Sequence, residues 1–158
     1  MPEIFSLEIQ NQNSPRADSS LIGQRGEELA ARFLLRNGFR LVLANYKVPV
    51  GRNNRGATVT GEIDLIALDG ETLCFVEVKT RTSAELYSPL SAIDLRKQRQ
   101  IIRTARVYRK VFGLRAMPFR YDAVAIVLGD ENKPQIEIFK NFWSESKFRK
   151  KFWNDEIW

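Results

Sequence analysis

Gly61-Glu-Ile-Asp-Leu-Ile-Ala-Leu-Asp-Gly-Glu-Thr-Leu-Cys-Phe-Val-Glu-Val-Lys79 reads as two strands around a short turn, and its charges decide the fold. Asp64, Glu77 and Lys79 sit where a buried strand ordinarily carries apolar side chains. Burying an unpaired charge is costly, so such charges are paired, bound to a metal or placed at an open cleft. Glu77 and Lys79 are two residues apart and share one face of their strand. A two-residue turn, either Asp69-Gly70 or Gly70-Glu71, pairs odd positions with even ones and brings Asp64 onto the face of Glu77. The pair is then directly opposite in one register and diagonal in the other. The alternate face, Ile63-Leu65-Ala67 with Cys74-Val76-Val78, is apolar throughout, which favours the two-residue turn over a three-residue one. Phe75, Ile66 and Leu68 make the polar face half apolar, so the ions are recessed rather than solvated along the strand.

Working outward, Ser19 and Ser20 are candidate N-caps of a helix through Asn37, stopped by Gly38, with Ile22, Leu29, Ala30, Phe33 and Leu34 on its apolar face. A strand over 39–48 follows, then a basic, glycine-containing loop over 49–59. After the hairpin, Ser88-Pro89 opens a second helix that Gly113 closes. Strands are expected over 119–128 and 136–140, separated by a turn at Gly129–Pro134. The tail from Asn141 is aromatic and charged, a last helix or docking segment. The expected order is α-β-β-β-α-β-β, an α/β fold with a mixed central sheet flanked by helices. Residues 1–17 are expected as an arm, 18–140 as one domain and 141–158 as a tail.

Composition narrows the chemistry. A chain of 158 residues, 44% of them hydrophobic, suffices for one domain with a core. No apolar run approaches membrane-spanning length and the first residues lack a basic-then-apolar leader, so a cytoplasmic protein is expected, with no membrane partner. A lone Cys74 makes neither an intrachain disulfide nor a cysteine zinc site. The chain has no histidine, which removes Ser-His-Asp and Cys-His catalysis and imidazole-held zinc. Hydrolysis would have to run on carboxylates, lysine, tyrosine or metal-activated water. The net charge of +6 favours a polyanionic partner.

Asp64 followed by Glu77-Val78-Lys79 at the end of the next strand resembles the signature of the PD-(D/E)XK nuclease superfamily. Gly23-Gln-Arg-Gly26-Glu27, Gly61-Glu-Ile-Asp-Leu-Ile-Ala67, Phe75-Val-Glu-Val-Lys-Thr-Arg81, Lys97 and Arg120-Tyr-Asp122 are similar to the YraN family of endonuclease-like bacterial proteins. The match runs over about residues 20–128 and implies a restriction-endonuclease-like αβββαβ core. It also implies Mg²⁺, with Mn²⁺ as a substitute, held by Asp64, Glu77 and the backbone carbonyl of Val78. Lys79 would orient the attacking water or stabilise developing charge. The long 49–59 stretch and both termini depart from the resemblance.

Glu27 matches the first-helix glutamate of archaeal Holliday-junction resolvases and is assigned to the metal site. A first-turn glutamate favoured by the helix dipole is the competing reading. Glu62 shares the parity of Asp64, as an outer ligand or a partner for Lys79. Asp122 is read as one half of a structural ion pair, for example with a helix arginine. The second helix carries Arg96, Lys97, Arg99, Arg103, Arg106, Arg109 and Lys110, opposed only by Asp94. A nucleic-acid backbone, DNA in preference to RNA, is the partner that suits them, with Lys97, Arg99, Arg103 and Arg106 as contacts. Lys97 continues the stripe of Ile93, Ile101 and Tyr108 and so could reach the metal site. Phe142, Trp143, Trp153 and Trp158 dock on protein in the favoured reading and stack bases in the other. The first expectation is a Mg²⁺-dependent endonuclease acting on DNA, branched or damaged. The alternatives are a non-catalytic nucleic-acid-binding protein that keeps the nuclease fold, and a partner-binding protein. A homodimer follows only by analogy with resolvases.

Overall fold

A computed structural model describes residues 15–83, 89–129 and 133–148. Helix α1 (Pro15–Arg36) opens on a proline, whose missing N–H and fixed φ suit a first turn. Ser19 and Ser20 therefore lie inside α1 and are not its caps. Its other end is as expected. Gly38 takes φ +85°, its N–H reaches the Leu35 carbonyl at 3.2 Å, and the Phe39 N–H reaches Leu34 at 3.0 Å. This left-handed cap suits a residue without a Cβ.

The chain continues through β1 (Arg40–Arg52), β2 (Thr58–Asp69), β3 (Thr72–Arg81), α2 (Leu95–Val111), β4 (Phe119–Val127) and β5 (Gln135–Trp143), so the expected order holds. The strands form one mixed sheet in the order β1-β2-β3-β4-β5. Only β3 and β4 are parallel neighbours, and a parallel pair needs a crossover, which α2 supplies. The architecture is α/β and consistent with a restriction-endonuclease-like core. On one face Ala30 and Leu34 of α1 pack with Leu65, Ala67, Cys74, Val76, Val78, Val124 and Ile126. On the other, Ile101, Ile102, Ala105 and Tyr108 of α2 pack with Ile66, Leu73, Phe75, Tyr121 and Ala123.

The β2–β3 turn is Gly70-Glu71, since Asp69 pairs with Thr72. Gly70 supplies the positive φ of +59° that a tight hairpin needs at its first central position. The stretch over 49–59 is mostly strand rather than loop: only 53–57 form the tip, where Asn53 Oδ1 accepts the N–H groups of Arg55 and Ala57 at 2.9 and 3.0 Å. A register shift between Pro49 and Gly51 fits the proline into an edge strand.

Ser88 lies outside the described residues, and Pro89–Ala92 form a separate 3₁₀ turn. α2 starts at Leu95 because Asp94 caps it, with Oδ1 accepting the Lys97 N–H at 2.8 Å. Gly113 closes it with φ +67°. β5 runs on to Trp143, whose ring stacks on Tyr121 at 5.3 Å, and a 3₁₀ turn over Glu145–Phe148 buries Phe148. Trp143 is therefore a core residue, and its ring offers no platform for a base. Residues 1–14, most of the expected arm, and 149–158, with Trp153 and Trp158, lie outside the described residues. No described helix is long and apolar enough to cross a membrane.

Candidate active site

Strands β2 and β3 part at one point. Their ladder ends at Leu65↔Val76, while β2 stays paired with β1 (Ile63 opposite Tyr46) and β3 with β4 (Glu77 opposite Ala123, Lys79 opposite Ala125). In place of the next backbone bond, Asp64 Oδ2 accepts the Val78 N–H at 2.8 Å. Asp64 thus closes the fork and stands beside Glu77. The strict alternation expected of β2 fails here. Ile63 packs with the α2-side cluster, whereas Leu65 packs with α1. Asn45 falls between the paired positions Ala44↔Leu65 and Tyr46↔Ile63, and its φ of 53° breaks the regular pleat of β1 there.

The fork opens into a cavity of about 440 Å³ lined by Glu27 of α1, Asp64, Glu77, Val78 and Lys79 of the hairpin, and Lys97 of α2. Glu77 is 1% exposed and Asp64 8%. Glu77 Oε1 meets two ammonium groups, Lys79 Nζ at 3.2 Å and Lys97 Nζ at 3.5 Å. Its other oxygen, Oε2, is buried with no hydrogen-bond partner among the described residues. Burial first, then the charge of Asp64, pushes the Glu77 carboxyl up to about 7 against the pull of both lysines. Asp64 is also raised by burial, with the Val78 N–H and Lys97 opposing. Glu27 is raised by burial and by Asp64, while a hydrogen bond from Asn45 works the other way.

Among the described residues no three or more Asp, Glu, Cys or His side chains gather as a metal cluster. The donor set is instead two carboxylates, one with an unsatisfied buried oxygen. That suits a hard cation which binds through few carboxylates and keeps its waters. A divalent charge there would lower both carboxyls, since burial holds up each of them and the charge of Asp64 holds up Glu77 further.

Asp64, Glu77, Val78, Lys79, Glu27 and Lys97 therefore line one cavity. Glu27 sits in the middle of α1, not in its first turn, so the dipole reading fails for lack of free N–H groups nearby. Lys97 leans off α2 to Glu77. Arg99 and Arg103 line a second cavity, along the first turns of α2. Arg106 points elsewhere and is paired with Glu145 at 2.9 Å. The Arg109 guanidinium lies 3.6 Å from the centre of the Phe119 ring. The basic helix is thus partly matched by protein, which its sequence alone did not show.

Two pairings differ from expectation. Glu62 lines the same cavity as Asp64, but its ion pair is with Lys47 across β1–β2 at 3.7 Å rather than with Lys79. Asp122 is fully buried and pairs with Arg120 of its own strand at 2.8 Å, not with a helix arginine. Arg120 also bridges to Asp69 at 2.7 Å, tying β4 to β2 across β3. Asn45 was missed as a site residue; an asparagine inside a strand, tolerant of positive φ, was the signal.

The family model described as "Uncharacterised protein family UPF0102" matches residues 26–126. A UPF0102 protein of Chlorobium phaeobacteroides is 40% identical over 119 residues, covering 75% of this chain and 86% of the relative. One from Chlorobium limicola is 37% identical over 135 residues, covering 82% and 97%. One from Renibacterium salmoninarum is 39% identical over 116 residues, covering 73% and 90%. A solved structure described as the crystal structure of SSO0001 aligns with 90% of this chain and 63% of its own length. Its identity to this chain is 12% and the TM-score 0.38.

Proposed function

The chain belongs to the uncharacterised protein family UPF0102, the YraN family its motifs resemble, and from that premise we propose that it is a metal-dependent endonuclease hydrolysing phosphodiester bonds in DNA. The observation that carries the reading is the recessed pair Asp64 and Glu77, in which Glu77 Oε1 meets two lysines and its buried Oε2 has no hydrogen-bond partner among the described residues. Mg²⁺ or Mn²⁺ would be held by Asp64, Glu77 and the Val78 carbonyl, and would supply an acidified water and charge neutralisation at the phosphate.

The remaining work falls to the chain's own side chains. Asp64 is fixed by the Val78 N–H and is not free to rotate away. The Lys79 ammonium, partly exposed at the cavity, is placed to meet negative charge developing on the phosphoryl oxygens, a point-charge role that suits lysine. Lys97 approaches from the opposite wall and holds the phosphate against the carboxylates. Glu27, raised above its ordinary value and facing Asp64, is placed to take up a proton from the attacking water.

A second reading has one observation in its favour: Lys79 and Lys97 both pair with Glu77, an arrangement that a binding module keeping the fold would also use. A nuclease assay at low salt with Mg²⁺ or Mn²⁺ on linear, forked and four-way DNA separates the two. Cleavage that Asp64→Ala and Glu77→Ala abolish, with binding retained, supports the enzyme. Lys79→Ala should slow it roughly 10²–10³-fold, as loss of a charge-stabilising donor does. Metal-independent binding without cleavage of any substrate, or cleavage unaffected by either carboxylate variant, would overturn the proposal.

A further inference from the structure

Beyond the carboxylate cavity lies a second one, of about 540 Å³, between the far end of the β1–β2 hairpin and the first turns of α2. Its lining holds five cations, Arg52, Arg96, Lys97, Arg99 and Arg103, and one acid, Asp94. Asp94 is occupied as the α2 cap. Lys97 lines both cavities, so the two spaces meet at the side chain that touches Glu77. Its floor is fixed. Gln100 Nε2 donates to the Thr60 carbonyl at 3.1 Å, and Gly61 lies so close to Thr104 that a Cβ there would strike the threonine hydroxyl. The hairpin and the helix therefore hold the groove open as one unit.

Neither cavity has an aromatic side chain in its lining among the described residues. Among the described residues Tyr46, Phe75, Tyr108, Tyr121 and Trp143 pack against one another edge-to-face, tilted or stacked. Single-strand binders that read or hold bases use ring platforms, and this groove has none. What it has is positive charge at the start of a helix, where backbone dipoles add to the attraction for anions.

We propose that the groove between Arg52 of the hairpin and Arg96, Arg99 and Arg103 of α2 binds the phosphodiester backbone of one nucleic-acid strand, without reading its bases, and delivers it past Lys97 to the Asp64–Glu77 cavity. The inference deepens the nuclease reading and rests on it for the direction of the strand, whereas the binding stands by itself. Arg52 belongs to this surface only because β1 extends to it, and a hairpin long enough to form the opposite wall is what this chain's 49–59 stretch provides.

The test is fluorescence anisotropy of a labelled single-stranded DNA oligonucleotide with the full chain in EDTA, across a range of salt concentrations. Each backbone contact to a single strand contributes about 0.7 to the slope of log affinity on log salt. Arg52→Gln/Arg96→Gln/Arg103→Gln should therefore flatten the slope by roughly 2. Arg36→Gln/Lys110→Gln/Arg115→Gln removes the same charge elsewhere and should leave the slope unchanged. Circular dichroism confirms that both variants are folded. Replacing the bases by abasic spacers should change affinity less than about twofold, whereas stacked bases would cost about tenfold or more. Equal flattening by both triple variants, no binding by the unaltered chain, or a large loss on abasic DNA would overturn the proposal. Cleavage in Mg²⁺ is scored separately: groove-dependent binding without cleavage sinks only the nuclease, and cleavage with an unchanged slope sinks only the groove.

Discussion

Replacing Gly26 by alanine isolates the contact that fixes α1 against the active-site strand. A Cβ at Gly26 would strike Thr80 Oγ1 and lie 2.9 Å from Thr80 Cβ and 3.2 Å from Cγ2. Thr80 follows Lys79 directly and Glu27 follows Gly26, so this approach sets the distance between the two walls of the cavity. In an open helix, glycine to alanine stabilises by about 1 kcal/mol because backbone entropy is no longer lost. Here the methyl must push α1 off β3, and overpacking a tight contact costs roughly 1–3 kcal/mol. The expected net runs from near zero to a loss of about 2 kcal/mol. Gly23, one turn earlier, is the control: a Cβ added there would meet nothing within 4 Å, and Gly23→Ala should stabilise by about 0.5–1 kcal/mol. Urea unfolding, read as a midpoint at constant slope, measures both. Thr80→Ala removes two of the three close atoms, so Gly26→Ala should cost less by about 1 kcal/mol in that background, a coupling between touching residues. If Gly26→Ala stabilises as Gly23→Ala does, or the double variant is additive, the close helix–strand approach is wrong.

Three further outcomes follow from side-chain environments. Because the folded chain holds the Glu77 proton more tightly than an unfolded one, the contribution of Glu77 to stability in EDTA is fully present below pH 4.5 and is lost as pH rises through about 7. The loss is a few kcal/mol at most, and Glu77→Gln should flatten that limb in urea titrations run at several pH values. Arg120→Leu leaves the fully buried Asp122 without its ion pair and should cost roughly 3–5 kcal/mol, seen as a lowered thermal midpoint; an unchanged midpoint would show the pair to be dispensable. The Cys74 thiol is buried and pushed up to about 12, first by desolvation and then by Asp122, so Ellman's reagent should label it only at the rate of unfolding. Rapid labelling of the folded chain would contradict that burial.

The order of elements and the composition of the site were legible from the sequence because both depend on local rules. Period-2 apolar patterning gives the strands, Gly38, Gly70 and Gly113 mark turns that need positive φ, and parity puts Glu77 with Lys79. The lack of histidine limits the chemistry before any coordinates are known. Tertiary structure decided what depends on elements far apart in the chain. The fork between β2 and β3 arises because each strand follows its outer partner, which no window of sequence contains. Lys97 reaches Glu77 only because the crossover lays α2 over the sheet. Long-range packing also chose Lys47 for Glu62 and Glu145 for Arg106, whereas Arg120 meets Asp122 two residues along its own strand. Charge type is written residue by residue, whereas the partner of each charge is fixed by which surfaces the folded chain brings together.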